Sequence, residues 1–264
     1  MDVARILAAG VASSVRDAGR PGLAHMGCGR GGAVDLESLR LANRLVGNSP
    51  DAAGVETSGG FVVELTTSLL VAVTGSHVDL HVQHGPPLGW GAPTALPAGA
   101  IVRVGRLRGG ARCYLAVRGG VDPAGWSETL GTAADALGLP SEVAAVPRDT
   151  DRPVRLWPGP RLDWFAEGSW DRLLGGAWTV SASSDRMGVR LLGPGLERSV
   201  HDELPSEGLV EGAVQVPPDG QPIVMLADHP VTGGYPVAAV VDPADIGLVA
   251  QRPPGSLLRF RGAR

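Results

Sequence analysis

The chain has 264 residues, 44% of them hydrophobic and 19% charged, with a formal net charge of −4. This balance excludes a disordered chain, leaves room for one large or two ordinary domains, and with no arginine-rich block argues against nucleic acid as a partner. No window approaches the ~20 apolar residues of a membrane span, and Asp2 and Arg5 spoil the opening for a secretory signal, so a soluble cytoplasmic protein is expected.

Gly (39) and Pro (22) are abundant without a collagen period, which predicts many turns and many short strands. Residues 35–48 carry the clearest helical pattern: Asp35 can cap it, Leu36, Leu39, Ala42, Leu45 and Val46 share one face, and Gly47 ends it. Strands follow at 54–57, 61–65, 69–75, 77–83, 101–107 and 112–120, with a turn-rich loop at 87–99 between them. Residues 122–153 lose the strand pattern and read as an excursion, with a domain boundary at Arg152. Strands resume at 154–160, a short helical piece falls within 162–176, and further strands are expected at 178–183, 190–193, 208–217 and 222–229. Asp242 and Pro243 open a second short helix, and 256–262 closes the chain as a strand. The likeness of 97–106 to 253–262, each a Pro/Gly turn feeding a strand, agrees with two β-rich halves.

The sequence contains no lysine; all 23 cations are arginine. This chain therefore has no P-loop, no Schiff-base lysine, no biotin-carrying lysine and no Ser-Lys centre of its own. Cys28 and Cys113 make neither a disulfide framework nor a zinc site, and read as packing residues, with Cys28 open to modification in its glycine-rich loop. His77, His81 and His84 are close in sequence, but on a strand His77 and His81 would stand roughly 13 Å apart at ~3.3 Å per residue, with His84 on the other face. No metal site is expected. No nucleophile elbow appears, and the glycines of 27–32 have the wrong spacing for a phosphate cradle.

The candidate binding residues are polar groups beside turns. Asp17 and Arg20 flank Gly19, and Asp185 and Arg186 repeat the theme. Arginine suits a carboxylate, which it grips with two parallel hydrogen bonds. Residues 206–222 gather Glu207, Glu211, Gln215, Asp219 and Gln221; the Pro217–Gly220 turn is justified by sterics, but the glutamines flanking it are not. Thr232, Gly233, Gly234 and Tyr235 offer a hydroxyl, a phenol and two unobstructed backbone amides. Taken alone, each of these groups also fits ordinary turn chemistry.

The runs 15–27, 31–35, 41–48, 114–122, 184–193, 206–228 and 232–236 occur in the order seen in the biotin-dependent carboxyltransferase-like family, which the chain resembles from about Ser13 to Phe260. That family includes the C subunit of bacterial ATP-dependent 5-oxoprolinase, the second-subunit proteins of allophanate hydrolase, the carboxyltransferase region of urea carboxylase, and an antagonist of a sporulation-kinase inhibitor. The resemblance implies a mainly β fold of two cyclophilin-like β-barrel domains, over 1–152 and 153–264, with a few short helices. It implies a C-subunit-like component of an amide hydrolase that opens 5-oxo-L-proline to L-glutamate. Such a component would be inactive outside a hetero-oligomer with B-subunit-like and A-subunit-like partners. ATP would be supplied through those partners, with no cofactor held covalently by this chain. The alternatives are carboxyl transfer from biotin carried on another domain to urea or a related amide, and a non-catalytic antagonist that binds a B-type subunit resembling a kinase inhibitor.

On this reading Asp17, Arg20, Arg186, Gln215, Asp219 and Tyr235 form the catalytic set, with Arg20 and Arg186 taking a substrate carboxylate. Asp35, Asp185, Glu207, Gln221, Asp228, Thr232, Gly233 and Gly234 surround the substrate. The sequence also departs from the family's pattern. A Gln-Thr pair is replaced at Pro230–Val231, a Val-Pro at Cys28–Gly29, a Gly-Asp turn at Gly99–Ala100, and a Gly/Ser-rich segment after Asp122. Altered specificity or weakened activity is expected wherever those positions touch substrate.

Overall fold

The computed structural model describes residues 2–122, 129–133, 138–140, 145 and 151–263. The chain divides into two compact units. The first holds residues 1–19 and 35–148, the second residues 20–34 and 149–264. Both are mainly β, as expected, and each is built on an eight-stranded curled sheet.

The first unit contains β1 (Asp2–Ala8), β2 (Ser14–Arg16), α1 (Leu36–Val46), β3 (Gly54–Thr57), β4 (Phe61–Leu65), β5 (Leu69–Gln83), β6 (Thr94–Leu96), β7 (Ile101–Val117) and β8 (Thr129–Gly131). The strands run β2-β3-β7-β4-β1-β8, with β5 also on β7 and β6 on β5. Helix α1 follows its sequence signals: Asp35 accepts from the Ser38 amide, and Gly47 closes the last turn in the left-handed conformation. Its Leu39, Ala42, Leu45 and Val46 are buried. Four expected strands have merged into two, β5 and β7, each continuous through glycines that looked like breaks. The ladder between them survives because register shifts at Gly75–His77 and at Val78–Leu80 absorb the irregularity as bulges. His77 and His81 lie on either side of the second shift, and His84 lies past the end of β5 with φ 60°. Strands β1 and β2 were not expected, and β8 lies in the expected excursion, the rest of which falls largely outside the described residues.

The second unit contains β9 (Val154–Pro158), α2 (Ser169–Gly175), β10 (Trp178–Val180), β11 (Gly188–Leu192), β12 (Glu207–Gly208), β13 (Ala213–Gln215), β14 (Ile223–Met225), β15 (Thr232–Gly233), β16 (Val237–Val241), α3 (Ile246–Ala250), β17 (Leu257–Leu258) and β18 (Phe260–Gly262). Its main sheet runs β17-β10-β11-β14-β13-β16-β9-β18, and β12 pairs β15 apart from it. The closing segment is two strands, not one: β17 pairs antiparallel with β10, and β18 pairs parallel with β9. The core is apolar and dense. Trp178 is fully buried, donates from Nε1 to the Leu173 carbonyl at 2.9 Å, and packs among Leu156, Leu173, Leu191 and Leu258.

Residues 20–34 lie early in the chain yet belong to this second unit. Val34 is buried in its core. The Gly31 amide donates to the Ala227 carbonyl at 3.0 Å, and Arg30 forms an ion pair with Glu211. No helix among the described residues is long and apolar enough to cross a membrane.

Candidate functional site

The hairpin of β13 and β14 organises the second unit's polar groups. Val214 pairs with Val224 and Gln215 with Ile223, so Glu211 sits before the hairpin and Pro217–Gly220 forms its tip. The tip is a tight turn: the Gly220 amide donates to the Pro217 carbonyl at 3.0 Å, and Asp219 Oδ1 accepts from the Gln221 amide at 3.0 Å.

At the open end of the hairpin, the 20–34 segment meets the chain after β14. Arg186 donates from Nε to Asp228 Oδ2 at 2.7 Å, and from Nη2 to Asp228 Oδ1 at 3.1 Å and to the Gly32 carbonyl at 2.6 Å. This is the planar fork on a carboxylate, so Arg186 and Asp228 grip each other instead of presenting two free groups. A Cβ on Gly31 would lie 3.8 Å from an Nη of Arg20 and 4.0 Å from Oδ1 of Asp228. Gly31 has φ +62°, a conformation that L side chains rarely adopt, and glycine keeps the turn open beside those charges.

Beside this cluster lies a pocket of about 350 Å³. Its walls are largely apolar, from Pro21, Leu209, Val210, Val231 and Ile246. Polar groups enter from Arg20, Cys28 and His229, with the Arg30–Glu211 ion pair at its margin. The Arg20 backbone is pinned by its amide, which donates to the Arg30 carbonyl at 2.7 Å, while its side chain is exposed. His229 is buried, and its Nδ1 lies 2.7 Å from the Pro230 carbonyl. Donation from Nδ1 leaves Nε2 as an acceptor. The pocket thus combines an apolar body, a cation and a hydrogen-bond acceptor, a set suited to a small carboxylate with a polar N–H.

Of the remaining sequence candidates, Asp17 and Asp35 belong to the first unit. Asp17 Oδ1 accepts from the Gly19 amide at 2.8 Å in a local turn of the first unit. Asp35 is buried there as the cap of α1; its own amide donates to the Tyr114 hydroxyl at 2.9 Å, and that hydroxyl donates to Glu56 at 2.8 Å. Burial, reinforced by Glu56 and Asp35, pushes the Tyr114 phenol well up. Burial beside Glu56 likewise pushes the Cys113 thiol up to about 12, consistent with a packing role. Asp185 Oδ1 holds the Met187 and Gly188 amides at 2.7 and 3.1 Å.

Near the hairpin tip, Gln215 is buried and donates from Nε2 to the Tyr235 carbonyl at 2.9 Å. A Cβ on Gly233 would approach that Nε2 and Leu209 to 2.8 Å each, so glycine is what admits the glutamine. Thr232 and Gly233 pair with Gly208 and Glu207 across β12 and β15. Glu207 is gripped by Arg161, whose hydrogen bonds lower its carboxyl pKa. Tyr235 is exposed, and a Cβ on Gly234 would sit 3.5 Å from the Leu204 carbonyl. Gln221 behaves like a strand neighbour: its Oε1 accepts from the Gly193 amide at 2.8 Å and its Nε2 reaches the Gly193 carbonyl at 3.4 Å.

The structure therefore brings Arg20, Arg186 and Asp228 together, and separates them from Asp219 and Gln221 by the length of the hairpin. The sequence offers no sign of Arg30 or His229 as pocket residues, and it offers Glu211 only as one of the polar candidates of 206–222, outside the catalytic and substrate-binding sets. Glu211 had a signal in its crowded polar run; His229 had only its place in a segment that departs from the family's pattern. Cys28, Gly29, His229 and Val231 all line the same pocket, so two of the departures converge on one cavity. Among the described residues, no group of three His, Cys, Asp or Glu side chains could hold a metal ion.

The family model for the carboxyltransferase domain, subdomain A and B, matches residues 26–139 and 127–262. The chain is 35% identical to the C subunit of 5-oxoprolinase from Escherichia coli over 97% of its own length and 90% of that protein. It is 28% identical to urea amidolyase of Saccharomyces cerevisiae, covering 95% of this chain but 16% of that protein. Among solved structures, TTHA0988 superposes with a TM-score of 0.87 at 33% identity, over 99% of this chain and 55% of that one. The urea carboxylase of Kluyveromyces lactis superposes with a TM-score of 0.87 at 26% identity, over 98% of this chain and 27% of that one. With its two β-rich units and a match that runs almost end to end, the chain belongs to the carboxyltransferase-domain family, together with the 5-oxoprolinase C subunit.

Proposed function

We propose that the chain is the C-subunit-like component of an ATP-dependent amide hydrolase of the 5-oxoprolinase type, opening 5-oxo-L-proline to L-glutamate only with B-subunit-like and A-subunit-like partners. The observation that carries this reading is extent. The similarity spans nearly the whole of a separate 5-oxoprolinase C subunit, but only a small part of urea amidolyase. The pocket chemistry supports it. A five-membered lactam acid has an apolar ring, one carboxylate and one amide N–H. Arg20 would take the carboxylate, the apolar walls would receive the ring, and His229 Nε2 would accept from the ring amide. Arg186 and Asp228 would hold the 31–32 turn in place. Phosphoryl chemistry on the amide would be supplied by ATP through a partner, because this chain has no lysine for a phosphate loop.

The test is to co-purify the chain with its B-subunit-like and A-subunit-like partners and to measure ATP-dependent glutamate release from 5-oxoproline. Activity is expected in the complex, none from the chain alone. Release of glutamate by the isolated chain would overturn the assignment as one component of a complex. The fold shared with urea carboxylase favours one second reading, carboxyl transfer from carboxybiotin on a partner to an amide. Avidin-detectable biotin in the purified complex, with bicarbonate-dependent ATP turnover, would select it.

A further inference from the structure

A second cavity, of about 630 Å³, lies in the same unit around the hairpin tip. Three segments build it: Arg172 from α2, the 194–201 stretch after β11, and the 218–220 turn. The walls are tied together. The Leu196 amide donates to the Gly220 carbonyl at 2.9 Å, and Gln221 clasps both backbone groups of Gly193. The glutamine that the turn did not need thus fastens one wall to the other.

This cavity carries charges of both signs. Arg172, Arg198, Glu197 and Asp219 all line it, two cations and two anions, yet none of them forms an ion pair among the described residues. Three other arginines of the unit do meet carboxylates: Arg161 with Glu207, Arg186 with Asp228, and Arg155 with Asp245. Arg198 also keeps its Nε buried with no hydrogen-bond partner, which is costly and is relieved when the guanidinium turns to meet an acceptor oxygen. A plain oxyanion entering this cavity would meet Glu197 and Asp219. A plain amine would meet both arginines. A ligand with both charges satisfies all four groups.

We propose that this cavity binds an α-amino acid as its zwitterion, its carboxylate on Arg172 and Arg198 and its ammonium on Glu197 and Asp219. The site is separate from the Arg20 pocket and does not depend on the function proposed for that pocket. It is tested by calorimetric titration of the full chain with glycine and L-glutamate, against glutarate, n-butylamine and inorganic phosphate. Glycine and L-glutamate should bind saturably, and the three controls at least tenfold more weakly. Glu197→Gln, an exposed substitution with little bearing on folding, and Arg198→Lys, which keeps the charge but loses the fork, should each weaken glycine binding tenfold or more. Arg20→Ala should leave it unchanged. Absence of binding, equal binding of glutarate or phosphate, insensitivity to both cavity substitutions, or loss of binding in Arg20→Ala would each overturn the assignment.

Discussion

Two groups of arginine in the second unit stand in contrast. Arg152 and Arg155 close on Asp245 from both sides, with contacts of 2.6 and 2.8 Å to Oδ1, and Arg186 closes on Asp228. Arg20, Arg172 and Arg198 line cavities and form no ion pair among the described residues. The residue type is the same in both groups. What differs is whether another segment delivers a carboxylate to the guanidinium. Asp245 comes from 93 positions beyond Arg152, so no local pattern announces that pair. An arginine with an acceptor built in supports the fold; one without is available to a ligand.

Substitution should separate the two groups. The largest effect is expected at Asp245, whose side chain is fully buried and accepts from Arg152, from the Arg155 side chain and from the Arg155 amide. Asp245→Asn should cost about 3 kcal/mol, because it leaves two guanidinium groups facing an amide, and a urea unfolding midpoint would show it. If the midpoint barely moved, the division between locked and open arginines would lose its clearest case.

The same carboxyl should govern acid stability. Burial alone would raise its pKa, but hydrogen bonds from Arg155 and Arg152 outweigh burial and hold it well below the usual carboxylate range. An unfolded aspartate titrates near ~3.9. The folded state therefore binds fewer protons below that value. The stabilisation is complete above about pH 5 and is lost as the pH falls through 4 toward the depressed folded value. Thermal midpoints measured from pH 6 to pH 3 should fall steeply in the parent chain and less steeply in Asp245→Asn.

A smaller loss is expected from Arg186→Ala, about 1 kcal/mol, since the pair with Asp228 is only partly buried. Arg186→Lys should recover little, because an ammonium cannot make the fork to Asp228 and still reach the Gly32 carbonyl. The smallest stability effect belongs to Arg20→Ala, within about 0.5 kcal/mol. That substitution should instead lower the ATP-dependent activity of the assembled complex, seen as a raised KM for 5-oxoproline. Equal stability losses in Arg20→Ala and Arg186→Ala would erase the distinction.

Much of the fold was legible in the sequence where the signal is local. Asp35 and Gly47 bracket α1 because capping is decided within a few residues. Asp242 caps the helical turn at Pro243, accepting from the Ala244 amide at 3.1 Å. The turn at Pro217–Gly220 was legible for the same reason. The merged β5 and β7 were not, because a glycine reads as a break until the partner strand shows that a bulge carries the ladder past it. Strand β16 also passed unnoticed, although it lies in mid-sheet between β13 and β9. Of the candidate residues, Arg186 and Asp228 stand out separately in the sequence, but their bond to each other spans 42 positions and has no local trace.

By itself, the sequence determined the mainly β character, the boundaries of α1, the hairpin tip and the absence of lysine, all of which depend on composition or on neighbours within a few residues. The tertiary structure alone decided that residues 20–34 join the second unit, that Gln221 fastens Gly193, and which arginines are left open. Those outcomes rest on partners brought together from distant parts of the chain. A guanidinium is committed or available only once packing has fixed whether a carboxylate can reach it.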